Sequence, residues 1–311
     1  MRRKITVFLA MVFSFLSIPV AYGAEGKTAT KLKYVKIEAE ATAPEKLYGE
    51  YIPVLMYHHF ADRNMESGNG MVSTKEELED HLRYFKSQGY QVITLEKLDS
   101  LLRKVEHDHS LTGMGLGLQE KYICITMDDG YHSNYEIAYP LFKKYGSPAS
   151  VFAVTDFITE QHGLKKFTWK QAKEMDEAGW LKVYSHSANH VPVEEGQEEA
   201  FLAGMQESEA ALAENLKEEH VKAMAYPNGK YTSASQKLLE EDGYVMQFTI
   251  EKGVITRQTI RNAIPRLTVE SGMTGEDVVR MAEMAAEKAF AAEREGNANE
   301  KENYRRQLEN E

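Results

Sequence analysis

The chain of 311 residues has a single cysteine, Cys124, so no intrachain disulfide can staple it. That thiol lies in the apolar run YICIT, where a small core residue is the plain reading and a nucleophile the special one. Long apolar runs are equally scarce. The one example, Ile5 to Val20, follows Arg2, Arg3 and Lys4 and precedes the small residues Ala21 and Gly23. This is the pattern of a secretory signal peptide, residues 1–23, with an uncleaved membrane anchor as the rival reading. No second such run follows, and no cysteine stands at the expected cut to accept a lipid, so the mature chain is expected to be secreted or associated with the cell envelope, without an integral membrane segment. Basic residues are outnumbered too: 37 Lys and Arg against 48 Asp and Glu leave a net charge of -11. That balance argues against nucleic acid and other polyanions as partners and leaves neutral or cationic polymers open.

Residues 24–51 are polar without clear periodicity and read as an N-terminal linker. From Ile52 onward, short apolar runs alternate with amphipathic segments. The runs are IPVLMY, QVITL, YICITM, PASVFAV, LKVYS, VKAMAY, YVMQFTI and AIPRLTV. The intervening helices are expected near residues 74–88, 95–103, 135–145, 169–178, 194–218 and 233–241. Such alternation predicts parallel βαβ units. Ser73 with Glu76 and Thr74 with Glu77 are capping-box pairs, and Gly89 and Gly243 fit helix C-terminal caps. Seven or eight such repeats predict an α/β barrel in one catalytic domain over residues 52–272. An open doubly wound sheet is the alternative, but no GxGxxG turn follows the first run. Residues 273–311 read as a helix followed by a charged, frayed tail.

In a parallel barrel the chemistry gathers at the C-terminal ends of the strands, and four polar clusters fall there. His58 and His59 close the first run; alone, a strand-end histidine reads as structural. Thr126-Met127-Asp128-Asp129-Gly130-Tyr131 follows YICI. Adjacent carboxylates raise each other's pKa, and a cation would relieve that conflict, while Gly130 permits the sharp turn that makes them converge. A turn that caps the next helix would use the same residues. Ser185-His186-Ser187-Ala188-Asn189-His190 sets two histidines at i and i+4, which stack over one ion if the chain takes a helical turn. Tyr226-Pro227-Asn228-Gly229 makes a tight turn able to expose a backbone N–H, or a simple loop.

Taken together, TMDDGY, HSANH and AYPNG resemble the motifs of the polysaccharide deacetylase family, the NodB-homology carbohydrate esterases. The early VLMYHHF is similar to a permuted branch that includes poly-β-1,6-N-acetylglucosamine deacetylases. The resemblance implies a distorted (β/α)7-type, TIM-barrel-like fold and metal-dependent removal of N-acetyl groups from a polysaccharide partner. Carried over residue by residue, it implies Asp128 as base, Asp129, His186 and His190 as metal ligands, His58 as acid and the Tyr226 backbone N–H as oxyanion donor. Arg266 matches a residue that tethers the base, and Tyr131 and Asn228 match supporting positions. The ion implied is zinc, with cobalt, nickel or iron as the other candidates. The sequence departs from the commoner branch in having no arginine opening the turn motif and no Asp-Trp pair after it. An O-acetyl esterase, a polysaccharide-binding protein without activity and a non-haem iron oxygenase are the rivals; the last leaves Asp128 without a task.

Overall fold

The computed structural model describes residues 49–62, 71–108, 115–160, 163–216 and 220–309. The expected signal peptide and nearly all of the linker lie outside the described residues. The element order is β1 (Val54–Tyr57), β2 (His59–Ala61), β3 (Val72–Thr74), α1 (Lys75–Ser87), β4 (Tyr90–Ile93), α2 (Leu95–His107), β5 (Lys121–Asp128), α3 (Tyr139–Tyr145) and β6 (Ala149–Ala153). It continues with α4 (Trp169–Glu177), β7 (Leu181–Ser185), α5 (Glu198–Asn215), β8 (Ala223–Ala225), α6 (Ser233–Glu241), β9 (Met246–Lys252), β10 (Ile264–Thr268) and α7 (Gly275–Glu309).

Seven parallel strands, β1-β10-β9-β8-β7-β6-β5, form a ring that closes through pairing of β1 with β5. This is the α/β, distorted (β/α)7-type arrangement expected. The remaining run, β4, stands outside the ring. It shares one edge of the long β5 with β1: Tyr90 to Ile93 pair with Lys121 to Cys124, and Val54 to Tyr57 pair with Cys124 to Met127.

Strand alternation sets which side chains face the site. Ile123, Ile125 and Met127 of β5 pack outward beneath the helices with Leu78, Leu82 and Phe85 of α1. Cys124 belongs instead to the inner cluster with Val54, Phe152, Tyr184, Phe248 and Ile264. Asp128 shares its parity with Cys124, and Arg266 with Ile264, so both extend the inner layer toward the C-terminal mouth.

Several helix boundaries follow their sequence signals. Of the two capping-box pairs, Thr74 with Glu77 is the one formed, and Gly89 and Gly243 follow their helices at φ 78° and 92°. Helix α5 is shorter than the expected span because Gly196 turns the chain at φ 82° before it. The π turn Asn134–Ala138 precedes α3. The tail expected to fray continues α7 to Glu309. Its Glu, Arg, Gln and Leu residues suit propagation of a helix already nucleated on the core by Val278, Ala282, Ala286 and Phe290.

Candidate active site

Asp128 ends β5, and Asp129 and Gly130 follow at φ 72° and 70°. Two left-handed residues in succession turn the chain so sharply that the neighbouring carboxylates approach one centre from different sides. A side chain at Gly130 would be crowded as well as strained: an added Cβ would lie 3.2 Å from the Ala153 Cβ and 3.3 Å from the Phe167 ring.

Asp128 is buried, and Arg266 grips it with both guanidinium nitrogens, Nη1 to Oδ1 and Nη2 to Oδ2, each at 2.7 Å. Arg266 is itself 1% exposed and donates from Nε to the Thr249 carbonyl at 2.9 Å and from Nη1 to Thr126 Oγ1 at 3.2 Å. Burial on its own raises the Asp128 carboxyl, but the charge and fork of Arg266, with His186 and His58 nearby, hold it well below the usual carboxylate range. Asp128 is thus ionised at neutral pH and fixed in orientation.

His186 and His190 converge, but by another route than the one expected. No helical turn forms; Ser187 and His190 adopt left-handed backbone at φ 67° and 60°, and His190 N–H is held by Ser187 Oγ at 3.0 Å. The rings end 4.8 Å apart. Their Nε2 atoms lie 3.7 Å (His186) and 3.4 Å (His190) from Asp129 Oδ1. One donor atom from each of the three residues lies within 4.8 Å of the others.

This donor set fits a divalent ion. His186 Nδ1 donates to the Ala225 carbonyl at 2.7 Å, which fixes the tautomer and leaves Nε2 bare toward Asp129. Burial, the largest influence, lowers the His186 pKa against the opposing pull of Asp128 and Asp129, which favours the neutral ligand form. Two imidazoles and one carboxylate are the donor types of a metal centre that keeps coordination positions open.

His58 sits between β1 and β2, close enough for its charge to act on Asp128, and its Nδ1 is buried without a hydrogen-bond partner. Asn134 Nδ2 holds its carbonyl at 2.9 Å. The second histidine of the pair turns elsewhere: His59 Nδ1 meets Ser133 Oγ at 2.9 Å, and its ring abuts Tyr131.

Tyr226 requires a correction. Its backbone N–H donates to the Phe248 carbonyl at 3.0 Å and its hydroxyl to Gln247, so neither is available to an oxyanion. The pairing of β8 with β9 consumes the amide. Pro227 has no N–H, and the next amide along is that of Asn228, an exposed residue at φ 53°. Tyr131 faces Asp129 and is capped by Lys166, a residue that carried no sequence signal because it lies in a loop outside the strand-end motifs.

Comparison with known proteins agrees with this geometry. The family model for polysaccharide deacetylase matches residues 116–247. The protein YxkH of Bacillus subtilis (strain 168), assigned to the polysaccharide deacetylases, is 32% identical over 228 residues, 72% of this chain and 73% of that protein. The poly-beta-1,6-N-acetyl-D-glucosamine N-deacetylase of Staphylococcus aureus (strain MSSA476) is 25% identical over 285 residues, 86% of this chain and 93% of that one. Among solved structures, the Streptococcus pyogenes deacetylase PplD in complex with acetate has the same fold, with a TM-score of 0.64 at 24% identity over 74% of this chain and 97% of that one. A similar ring, the matched motifs and a relative aligned over most of both chains lead to one assignment: the chain belongs to the polysaccharide deacetylase family and is an amide-hydrolysing enzyme.

Proposed function

We propose that this enzyme removes acetyl groups from an N-acetylglucosamine polymer outside the cytoplasmic membrane, with Asp128 as base and a divalent ion, zinc first, held by Asp129, His186 and His190. The observation that carries the reading is the division of labour between the two adjacent aspartates. Asp129 turns to the histidines, while both Asp128 oxygens are clasped by Arg266. One carboxylate is a ligand and the other stays beside the site with a separate task.

An ion in this site supplies Lewis-acid polarisation of the acetamide carbonyl and acidifies a water. Asp128, ionised and fixed, takes the proton of the attacking water through an oxygen lone pair left free by the fork. The developing oxyanion is received by the Asn228 backbone N–H, which replaces the Tyr226 amide in this role. His58, with a buried nitrogen that no protein group satisfies, delivers a proton to the leaving nitrogen. Without that proton the amine would have to depart as a strongly basic anion. Acetate and a glucosamine unit result.

The relative from Staphylococcus aureus is a deacetylase of the β-1,6-linked polymer, and its alignment spans 93% of its own length. That similarity supports β-1,6 over β-1,4 linkage for this chain. The apolar segment from Ile5 to Val20, read as an export signal, supports action outside the membrane, where such polymers are, and among the described residues no helix is long and apolar enough to cross a membrane.

The test is acetate release from β-1,6- and β-1,4-linked N-acetylglucosamine oligomers, by wild type and Asp128→Asn, with zinc and with chelator. Zinc-dependent release, strongest on the β-1,6 oligomer and lost in Asp128→Asn, is the expected result. Zinc-loaded enzyme that leaves both oligomers untouched defeats the substrate assignment.

A further inference from the structure

The residue that follows the Asp-Asp-Gly turn is held more firmly than a substrate-contacting side chain needs to be. Lys166 Nζ lies 3.6 Å from the centre of the Tyr131 ring, and Lys166 is 9% exposed. The His59 ring meets Tyr131 edge-on at 5.2 Å, and Ser133 fixes His59 in turn. The backbone is tied as well: Tyr131 and Lys166 form an antiparallel bridge, His132 N–H donates to the Lys165 carbonyl at 2.8 Å, and Phe167 N–H to the Gly130 carbonyl at 3.1 Å. The Tyr131 phenol lies within electrostatic reach of Asp129, whose Oδ1 is turned to both histidines.

We infer that Lys166 and Tyr131 are positioning residues for the metal site: Lys166 on the ring face holds Tyr131, whose hydroxyl orients the Asp129 carboxylate as a ligand. This rests on the metal-site reading above and assigns to Tyr131 a task distinct from substrate contact.

The physical basis has two parts. A carboxylate ligand free to rotate presents the wrong oxygen for much of the time, and a hydrogen bond from a clamped phenol removes that freedom before the ion arrives. A cation over the ring also draws electron density from it, which makes the phenol O–H a stronger donor. The alternative is that Lys166 acts only by its charge. A buried ammonium near Asp129 would then oppose an incoming cation, and its removal would tighten ion binding. The two roles therefore predict opposite signs for one substitution.

The deciding experiment is a zinc titration of metal-free enzyme in competition with a chromophoric chelator, for wild type, Tyr131→Phe, Lys166→Met and Lys166→Arg, with circular dichroism to confirm folding. Tyr131→Phe should weaken zinc binding by about 10- to 100-fold, the usual effect of losing an outer hydrogen bond. Lys166→Met should weaken it by about 3- to 10-fold, the scale of a lost cation–π contact, and Lys166→Arg should restore most of that loss. Unchanged affinity in Tyr131→Phe, or tighter binding in Lys166→Met, overturns the inference while leaving the metal site standing. Wild-type enzyme without zinc affinity overturns both. Should Tyr131→Phe fail to fold, the Lys166 pair still decides the matter by its sign.

Discussion

Arg266 and Asp128 lie 138 positions apart in the chain and meet in a buried, two-pronged ion pair with both contacts at 2.7 Å. A buried pair of this kind adds little stability over an apolar pair of the same shape, but loss of one partner leaves a charge without compensation. Arg266→Met should therefore cost about 3–5 kcal/mol in urea denaturation. Arg266→Lys keeps the charge but has no planar fork to orient the base. It should retain more of the stability than of the deacetylase rate. Equal retention of both would mean that the fork's geometry is unimportant to the reaction.

His58 separates amide from ester chemistry. An alkoxide or phenolate leaves with little help, whereas an amine needs its proton, so His58→Ala should depress acetamide hydrolysis by about 100-fold or more and hydrolysis of 4-nitrophenyl acetate far less. Parallel losses on the two substrates would remove His58 from the acid role.

Gly130→Ala tests the turn that parts the two aspartates. At φ 70°, with Ala153 and Phe167 3.2–3.3 Å from the new methyl, the substitution should destabilise the fold by about 1–3 kcal/mol. Zinc affinity should fall with it, because Asp129 follows the backbone. A variant with wild-type melting temperature and wild-type affinity contradicts that account.

His81 links stability to acidity away from the site. Its Nδ1 meets the Tyr57 hydroxyl at 2.9 Å and its Nε2 the Met273 carbonyl at 2.7 Å, which ties β1 and α1 to the segment ahead of α7. Burial lowers its pKa more than the Met273 carbonyl and nearby carboxylates raise it. The unfolded chain thus takes up a proton near pH ~6.5 that the native protein resists, so stability present above that pH is lost as pH falls toward the folded pKa. In His81→Gln, the decline in unfolding free energy between pH 7 and 5, read from urea curves, should be shallower than in wild type.

The sequence exposed the parts of this protein that are written locally. Alternation in YICITMD marks an inner and an outer face, and the DDG and HSANH motifs stand at strand ends where a ring collects them. Arg266 matched a tether by motif, yet its partners, Thr249 and Thr126, come from strands brought beside it only by the ring. Pairing across strands is likewise invisible in one chain. It puts β4 outside the ring, spends the Tyr226 amide on Phe248, and brings His59 to β2 opposite Val72. Left-handed backbone at Ser187 and His190, which no pattern in the sequence marks, replaced the helical turn that the i and i+4 spacing suggested. Lys166 meets Tyr131 only through a loop pairing that no periodicity announces.

The pairing of β1 with β10, where Leu55 meets Leu267 and Met56 meets Thr268, joins the first strand of the ring to the last one in sequence. That last strand, β10, is the one that carries Arg266. Any intermediate in which β10 has yet to dock has Asp128 without its counter-charge, facing an unfinished interior. Proton uptake by that carboxylate, or continued solvation of it, is the relief open to such a species. Docking of β10 and the ionised state of the base are therefore linked: the same long-range pairing that completes the ring brings Asp128 its counter-charge.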